Sequence, residues 1–271
     1  MARTGRSALP FEPDTLKALV FDVDGTLYRQ SSVRLAMARR LLWACLARPR
    51  EGASTLRALR AYRRAQELLR NSNNGSADDL AHRQVALAAD IAREDPGFVA
   101  ACVARWMEQR PLELLARARR PGLLEFLEAA KRRRLRLAVF SDYPARAKLE
   151  ALGIDRLFDV VVSAQDPDVQ EFKPSPRGLH LTLARLGVSH RETIYVGDRA
   201  DVDVRAASRA GMACVIIGGR GRGGPSAGWV ALHGYDELGR LLGCGTEVAR
   251  GPGGSRLDGA RAHHGIQRGR V

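Results

Sequence analysis

The sequence predicts an α/β protein whose core is a Rossmann-like, doubly wound parallel sheet with an inserted helical domain. In the C-terminal half, short apolar segments rich in β-branched residues alternate with segments of helical periodicity. This alternation is typical of a parallel sheet that helices cover on both faces. One further apolar segment lies near the N-terminus, and apolar residues recur only at helical spacing between it and residue 121.

Each element follows from this alternation. We predict strands over residues 17–24, 135–140, 158–163, 193–196, 213–217 and 229–232, and core helices over 121–134, 146–152, 178–186, 202–210 and 235–242. The α/β core then comprises residues 11–27 and 121–243, and residues 28–120 form the inserted helical unit. A turn is expected over residues 71–75. Residues 244–271 are rich in glycine and arginine and lack periodicity, so we expect a disordered tail.

Composition excludes several classes of protein. The chain has 271 residues, of which 45% are hydrophobic and 27% are charged, which excludes an entirely disordered or fibrous chain. No segment has the ~20 consecutive apolar residues of a membrane span, and no secretory signal is visible. Its four cysteines are far apart, which argues against a disulfide framework or a zinc site. We therefore expect a cytoplasmic protein.

The charge is strongly positive. The formal net charge is +14, and only four of the 44 basic residues are lysines: Lys17, Lys131, Lys148 and Lys173. We interpret the excess of arginine as the compositional bias of a GC-rich coding sequence, and expect no specific nucleic-acid partner. The charge would still favour small anionic molecules.

One basic segment allows two interpretations. Val33–Arg48 is apolar, carries a tryptophan and contains several arginines. We interpret it as a helix that packs against its neighbours in the inserted unit. The alternative is contact with a surface of anionic lipid, which basic amphipathic helices can bind.

Polar side chains follow four of the predicted strands. They are Asp22 and Asp24 after the first strand, Ser141 and Asp142 after the second, Lys173 beyond the third, and Asp198, Asp201 and Asp203 after the fourth. Ligands of open parallel sheets bind outside the carboxyl ends of the strands, so we expect these groups to converge.

Such a set of groups suits phosphoryl chemistry. Neighbouring carboxylates repel one another unless a cation joins them, and Mg²⁺ prefers oxygen ligands. Lys173 and a hydroxyl group can receive the charge of a phosphoryl group. One carboxylate can attack phosphorus, and a second carboxyl group two residues away can act as general acid and base.

The same residues resemble the four motifs of the haloacid dehalogenase-like (HAD) superfamily. Asp22-Val23-Asp24-Gly25-Thr26 is similar to the first motif, Ser141 to the second, Lys173-Pro174 to the third, and Gly197-Asp198 with Asp203 to the fourth. The resemblance covers residues 16–243 in motif order and spacing. It implies a phosphatase that uses Mg²⁺, with the helical insertion as a cap over the site.

The resemblance also implies a role for each residue. Asp22 would be the nucleophile and a metal ligand, Asp24 the general acid and base and a metal ligand through its backbone carbonyl, and Asp198 a metal ligand. Ser141 and Lys173 would be catalytic residues that contact the phosphoryl group. The remaining residues would bind substrate (Gly25, Thr26 and Asp142) or orient other groups (Asp203 and Asp201).

These roles predict a Mg²⁺-dependent hydrolase that cleaves a small phosphomonoester through an aspartyl-phosphate, similar to phosphoglycolate phosphatases. Two alternatives stay open: a phosphomutase of the same superfamily, and a peripheral-membrane phosphatase that acts on a lipid-linked phosphate. A basic binding module without activity is disfavoured because all four motifs are complete. Neither the substrate nor the oligomeric state follows from the sequence.

Overall fold

The computed structural model describes residues 9–71, 79–219 and 223–244. Six strands within these ranges form one sheet: β1 (Ala18–Phe21), β2 (Arg136–Ser141), β3 (Val160–Ser163), β4 (Thr193–Gly197), β5 (Ala213–Ile217) and β6 (Trp229–Leu232). Their order is β3-β2-β1-β4-β5-β6, and every neighbouring pair is parallel. The chain builds outward from β1 to β3 and then returns to β4 on the other side of β1. This reversal places a ligand-binding crevice at the carboxyl ends of β1 and β4.

Within the described ranges, five helices lie between β1 and residue 120: α1 (Gln30–Ala47), α2 (Pro49–Asn71), α3 (Leu80–Ala92), α4 (Pro96–Val103) and α5 (Arg110–Ala118). A π-helical turn over Ala104–Gln109 connects α4 to α5. The remaining helices accompany the sheet: α6 (Leu123–Arg132), α7 (Arg146–Leu152), α8 (Arg177–Leu186), α9 (Arg205–Arg209) and α10 (Tyr235–Leu242). None of the helices in the described ranges has the length and apolarity needed to cross a membrane.

Each face of the sheet has its own apolar core. Leu19 and Phe21 of β1 belong to one buried cluster, and Ala18 and Val20 belong to the cluster on the opposite face. Alternate residues of one strand are therefore covered by helices on both sides, as in a doubly wound fold. The predicted α/β fold class is confirmed.

A third buried cluster joins α2, α3 and α4, through residues such as Tyr62, Ala88 and Val99. Both ends of the inserted segment nevertheless pack into the core of the sheet. Val33 and Leu115 lie in the same buried cluster as Leu19 and Phe21 of β1. The division of the chain at residues 28 and 120 stays a prediction.

The predicted packing of the segment Val33–Arg48 is wrong for one side of the helix. Val33 of α1 is buried, whereas Leu35, Leu42, Trp43 and Leu46 are 60–71% exposed. The physical reason is that α1 carries apolar side chains on nearly every side, so its neighbours can bury only some of them. One side packs against α2 and α5, and the described residues leave the opposite side uncovered.

Two further predictions fall mainly on undescribed residues. The predicted turn covers residues 71–75, of which Asn71 is the last residue of α2 and residues 72–75 lie outside the described part. Residues 245–271 of the predicted tail also lie outside it. Cys244, which we had assigned to the tail, is instead buried, and its backbone N–H donates to the Gly239 carbonyl at 2.7 Å.

Candidate active site

The ends of β1 and β4 position the first two acidic side chains. Phe21 and Val196 are partners in the parallel ladder. The next residue, Asp22, extends it by donating its N–H to the Val196 carbonyl at 2.8 Å. Asp198 follows the last residue of β4, so both carboxyl groups leave the sheet at the same edge.

Three carboxyl groups meet at this edge. One oxygen each of Asp22, Asp198 and Asp203 lie within 4.8 Å of one another. Asp22 and Asp203 are buried, and Asp198 is half-buried. An oxygen-only set of this size fits Mg²⁺, which takes carboxylate ligands and retains waters. The residues therefore fit the cation that the sequence predicts.

Asp203 also organises the loop that carries Asp198. Its Oδ2 accepts the backbone N–H groups of Asp198 at 3.1 Å and of Arg199 at 3.0 Å. Asp203 lies in a π-helical turn over Ala200–Val204, which directs its side chain back towards β4. We had expected only an orienting role for Asp203, yet its carboxyl group lies inside the acidic cluster.

Lys173 connects two members of the cluster. Its Nζ lies 2.6 Å from Asp22 Oδ1 and 2.8 Å from Asp203 Oδ1, and it donates to the Tyr195 hydroxyl at 3.0 Å. Burial opposes the charged form of Lys173, but Asp203 and Asp22 outweigh it and raise its pKa well above the ordinary value. Lys173 is therefore a permanent cation between the two carboxyl groups.

The cluster still carries more negative charge than Lys173 balances. Burial raises the pKa of Asp22 to about 8, against the opposing effect of Lys173, with further increases from Asp203 and Asp198. Burial and Asp203 also raise the pKa of Asp198 to about 6. A bound divalent cation would remove this penalty by favouring the ionised forms.

The carboxyl group of Asp24 has other partners. Both of its oxygens accept hydrogen bonds from Lys148 Nζ, at 2.7 Å each, and Oδ1 also accepts the Tyr28 hydroxyl. Burial would raise the pKa of Asp24, but Lys148 and Tyr28 together hold it below the ordinary value. The side chain of Asp24 is thus outside the acidic cluster, and its backbone carbonyl as a metal ligand stays a prediction.

The turn after Asp22 depends on glycine. Gly25 has φ of +96°, and a Cβ atom there would overlap the carboxyl group of Asp198. Its carbonyl accepts hydrogen bonds from Arg120 Nε at 2.9 Å and Nη2 at 2.6 Å. The hydroxyl of Thr26 donates to Asp22 Oδ2 at 3.2 Å. The absence of a side chain at Gly25 therefore leaves room for the carboxyl group of Asp198, and the Thr26 hydroxyl orients the carboxyl group of Asp22.

Ser141 and Asp142 lie at the end of β2. Ser141 is buried, and its Oγ accepts the N–H of Tyr143 at 3.3 Å. Asp142 Oδ1 accepts the N–H of Lys173 at 3.1 Å. Asp142 therefore ties the strand end to the segment that carries the ammonium group.

An inserted helix also reaches Asp142. Its Oδ2 lies 2.7 Å from Arg70 Nη2 and accepts Gln66 Nε2 at 3.2 Å. Both donors are on α2, and the Arg70 side chain is only 5% exposed. This contact fastens α2 to the edge of the sheet beside Ser141 and Lys173.

Asp201 lies apart from these groups. Its side chain is 68% exposed and forms an ion pair with Arg199 at 2.7 Å. The hydrogen bond from Arg199 lowers the pKa of Asp201. Of the predicted residues, Asp201 is therefore the one that the structure leaves on the outer surface.

Sequence reasoning missed several side chains of the site: Tyr28, Arg70, Arg120, Lys148 and Tyr195. A signal existed for Lys148, because lysine is rare in this chain and the same rarity identified Lys173. Arg70 and Arg120 carried no such signal among so many arginines.

Comparison with known proteins decides the family. A family model for haloacid dehalogenase-like hydrolases matches residues 16–211. The chain belongs to the haloacid dehalogenase-like hydrolases. The resemblance inferred from the four motifs is confirmed.

Two curated relatives are phosphatases by name. The chain is 33% identical over 207 residues to a glyceraldehyde 3-phosphate phosphatase of Methanopyrus kandleri, covering 74% of this chain and 84% of the relative. It is 32% identical over 260 residues to a phosphoglycolate phosphatase of Rhodospirillum rubrum, covering 89% and 95%. Among solved structures, an HAD phosphatase from Thermococcus onnurineus shares the fold, with a TM-score of 0.54, 24% identity and coverage of 85% and 99%.

Proposed function

We propose that this HAD-like hydrolase is a Mg²⁺-dependent phosphatase that hydrolyses a small phosphomonoester through an aspartyl-phosphate on Asp22. The observation that carries the proposal is the shared position of Asp22, which lies in the acidic cluster and contacts the ammonium group of Lys173. The nucleophile, the cation site and a fixed positive charge are thus within reach of one phosphoryl group.

The first step transfers the phosphoryl group to the protein. An oxygen of Asp22 attacks phosphorus, and the bond from phosphorus to the ester oxygen breaks. Asp24 donates a proton to the departing oxygen, which leaves as an alcohol. Asp22 Oδ1 is held by Lys173, so Oδ2, which accepts the Thr26 hydroxyl, is the oxygen we assign to the attack.

The second step returns the protein to its starting state. A water molecule attacks phosphorus of the aspartyl-phosphate while Asp24 accepts its proton. The bond between Asp22 and phosphorus breaks, which releases inorganic phosphate and restores the carboxylate. The same residue, Asp24, therefore acts first as acid and then as base.

The surrounding residues stabilise charge. Lys173 and the Ser141 hydroxyl would contact the phosphoryl oxygens. Mg²⁺, held by Asp22 and Asp198 with Asp203 beside them, would offset the negative charge that both steps bring together. The Asp24 carboxyl group must leave its contact with Lys148 and take up a proton before it can act as the acid.

The names of the relatives suggest which esters to try first. Phosphoglycolate and glyceraldehyde 3-phosphate are short, anionic phosphomonoesters, and the net charge of +14 favours anionic substrates. A panel of phosphorylated metabolites that includes both should identify at least one ester from which phosphate is released in the presence of Mg²⁺.

The same panel distinguishes the phosphomutase alternative. A phosphatase releases inorganic phosphate, whereas a mutase converts one sugar phosphate into its isomer without net release. Phosphate release that Mg²⁺ supports, EDTA abolishes and Asp22→Asn eliminates would support the proposal. Isomerisation without release, or no turnover of any ester, would contradict it.

A further inference from the structure

Helix α1 has an exposed apolar face that the proposed reaction does not use. We define the α1 outer face as Leu35, Arg39, Leu42, Trp43 and Leu46. These positions follow one another at helical spacing and line one side of the helix over roughly 16 Å. The four apolar side chains are 60–71% exposed.

Most of the exposed large apolar side chains in the described ranges lie together on α1. The other exposed large apolar side chains in the described ranges are Leu68 and Ile91, at 40% and 42% exposure and on two different helices. Isolated exposed side chains of this kind need no explanation, whereas a continuous apolar strip marks a binding surface.

The charge of α1 indicates what would bind there. The helix contains no acidic residue, and Arg34 and Arg39 are exposed along it. Beyond its C-terminal end Arg50 is exposed, and the exposed Arg48 forms an ion pair with Glu51 at 3.2 Å. An apolar strip that contains Arg39 and has further arginines near it complements a surface that is apolar below and anionic above.

We propose that the α1 outer face binds the surface of a membrane that contains anionic phospholipid. The leucine and tryptophan side chains would enter the boundary between headgroups and acyl chains, where an indole ring is favoured. The long stem of Arg39 can lie along the apolar strip while its guanidinium group reaches a lipid phosphate. The helix would lie on the membrane and not cross it.

A second copy of the chain fits this face less well. Arg39 lies between Leu35 and Leu42, so two antiparallel α1 helices related by a two-fold axis would bring their Arg39 guanidinium groups together. The net charge of +14 on each copy adds to the repulsion. Anionic lipid removes both penalties.

The position of α1 gives the binding a consequence. The helix begins at Gln30, two residues after Tyr28, which contacts Asp24 in the site. Membrane binding would therefore hold the site within one helix length of the lipid headgroups. The inference concerns binding alone and stands independently of the proposed reaction.

The test uses the whole 271-residue chain and two kinds of vesicle, phosphatidylcholine alone and phosphatidylcholine with phosphatidylglycerol. We expect co-sedimentation with the anionic vesicles at low salt, and weaker binding as salt screens the charges. Tryptophan emission should shift to the blue. Trp43→Phe should remove this shift, because the other two tryptophans lie away from the strip: Trp106 is buried and Trp229 is on β6. Co-sedimentation should persist in this variant, because phenylalanine keeps an apolar ring at the position.

Substitutions on the strip separate this surface from general charge. Leu42→Glu and Leu46→Glu should each weaken binding to anionic vesicles by about tenfold or more. Ile91→Glu is the matched control, because it adds the same charge at an exposed position on α3 and should change binding less than about twofold. Melting temperatures close to that of the wild type will show that the variants fold.

Three results of the vesicle experiments would overturn the inference. They are equal binding to both kinds of vesicle, equal losses from Leu42→Glu and Ile91→Glu, and the absence of binding to anionic vesicles. Sedimentation velocity without lipid tests the alternative that a second copy of the chain binds the α1 outer face. A stable dimer that Leu42→Glu dissociates would assign the face to a second copy and contradict the membrane proposal.

Discussion

The ammonium group of Lys148 donates hydrogen bonds to both carboxylate oxygens of Asp24, with Nζ 2.7 Å from each. Lys148 lies on α7, 124 residues further along the chain. This pairing favours the ionised form of Asp24, although the proposed first step needs a proton on that group. In the proposed mechanism this is a resting arrangement, from which substrate binding has to release Asp24.

Removing Lys148 should change the pH dependence of the reaction. Lys148→Met takes away the main charge that lowers the pKa of Asp24, so that pKa should rise. A general acid with a higher pKa keeps its proton to higher pH, and the alkaline limb of kcat/KM should move up by about one pH unit or more. Lys148→Arg is the control, because it retains the charge and should leave the limb near its original position. An unchanged profile in Lys148→Met would exclude Lys148 from control of Asp24.

Stability without metal should fall as the pH rises. The folded protein has a pKa of about 8 for Asp22 and about 6 for Asp198, both above the ordinary value of 3.8. The folded state therefore binds more protons than the unfolded state between about pH 4 and about pH 8, so unfolding becomes easier across that interval. Asp24 has a lowered pKa, and its stabilising contribution is lost only below about pH 4.

Mg²⁺ should reverse this loss. A saturating concentration should raise the melting temperature by about 5–10 °C near pH 8, and by less near pH 5.5, where protons compete for the carboxyl groups. Thermal unfolding in EDTA and in Mg²⁺ at both pH values measures the effect. Asp198→Asn should lose most of the increase. A wild-type melting curve that ignores Mg²⁺ at both pH values would disprove the metal site.

Asp22→Asn separates catalysis from folding. The substitution removes the attacking oxygen, so turnover should fall by at least about a thousandfold. Lys173 keeps its contacts with Asp203 and Tyr195, so the fold should persist, with a melting temperature within about 3 °C of the wild type in EDTA. Activity assays and circular dichroism test both statements. Near-normal turnover would remove Asp22 from its assigned role.

The contact between α2 and the sheet should have a measurable energy. Arg70 and Asp142 form an ion pair in which the side chains are 5% and 14% exposed. A double-mutant cycle of Arg70→Ala and Asp142→Ala should give a coupling energy of about 1–3 kcal/mol in urea unfolding. The exposed pair of Arg177 and Glu171 is the control, with an expected coupling of about 0–1 kcal/mol. Equal coupling in both cycles would show that the α2 contact is ordinary surface pairing.

The sheet and its acidic edge could be predicted from the sequence because their signals are local. Apolar β-branched segments place each strand within a few residues, and the parallel arrangement then brings Asp22 and Asp198 to one edge. The partners of Asp24 carried no local signal. Lys148 reaches it from a distant helix, and only the docking of that helix decides the contact.

The exposure of the apolar side of α1 could not be predicted from the sequence for a related reason. Periodicity shows that Leu35, Leu42 and Leu46 share one side of a helix, and such a side is usually buried. Which side is buried depends on the neighbouring helices. Here α2 and α5 cover the side that contains Val33 and leave the leucines exposed.

The most direct test of the account is chemical trapping of phosphorylated Asp22. Rapid mixing with a substrate and Mg²⁺, followed by borohydride, reduces an acyl phosphate on aspartate to homoserine, which peptide mass spectrometry locates. We predict homoserine at position 22, dependent on substrate and absent from Asp22→Asn. Full phosphate release with position 22 unmodified, or with the modification at Asp24 instead, would contradict the assignment of Asp22 as the nucleophile.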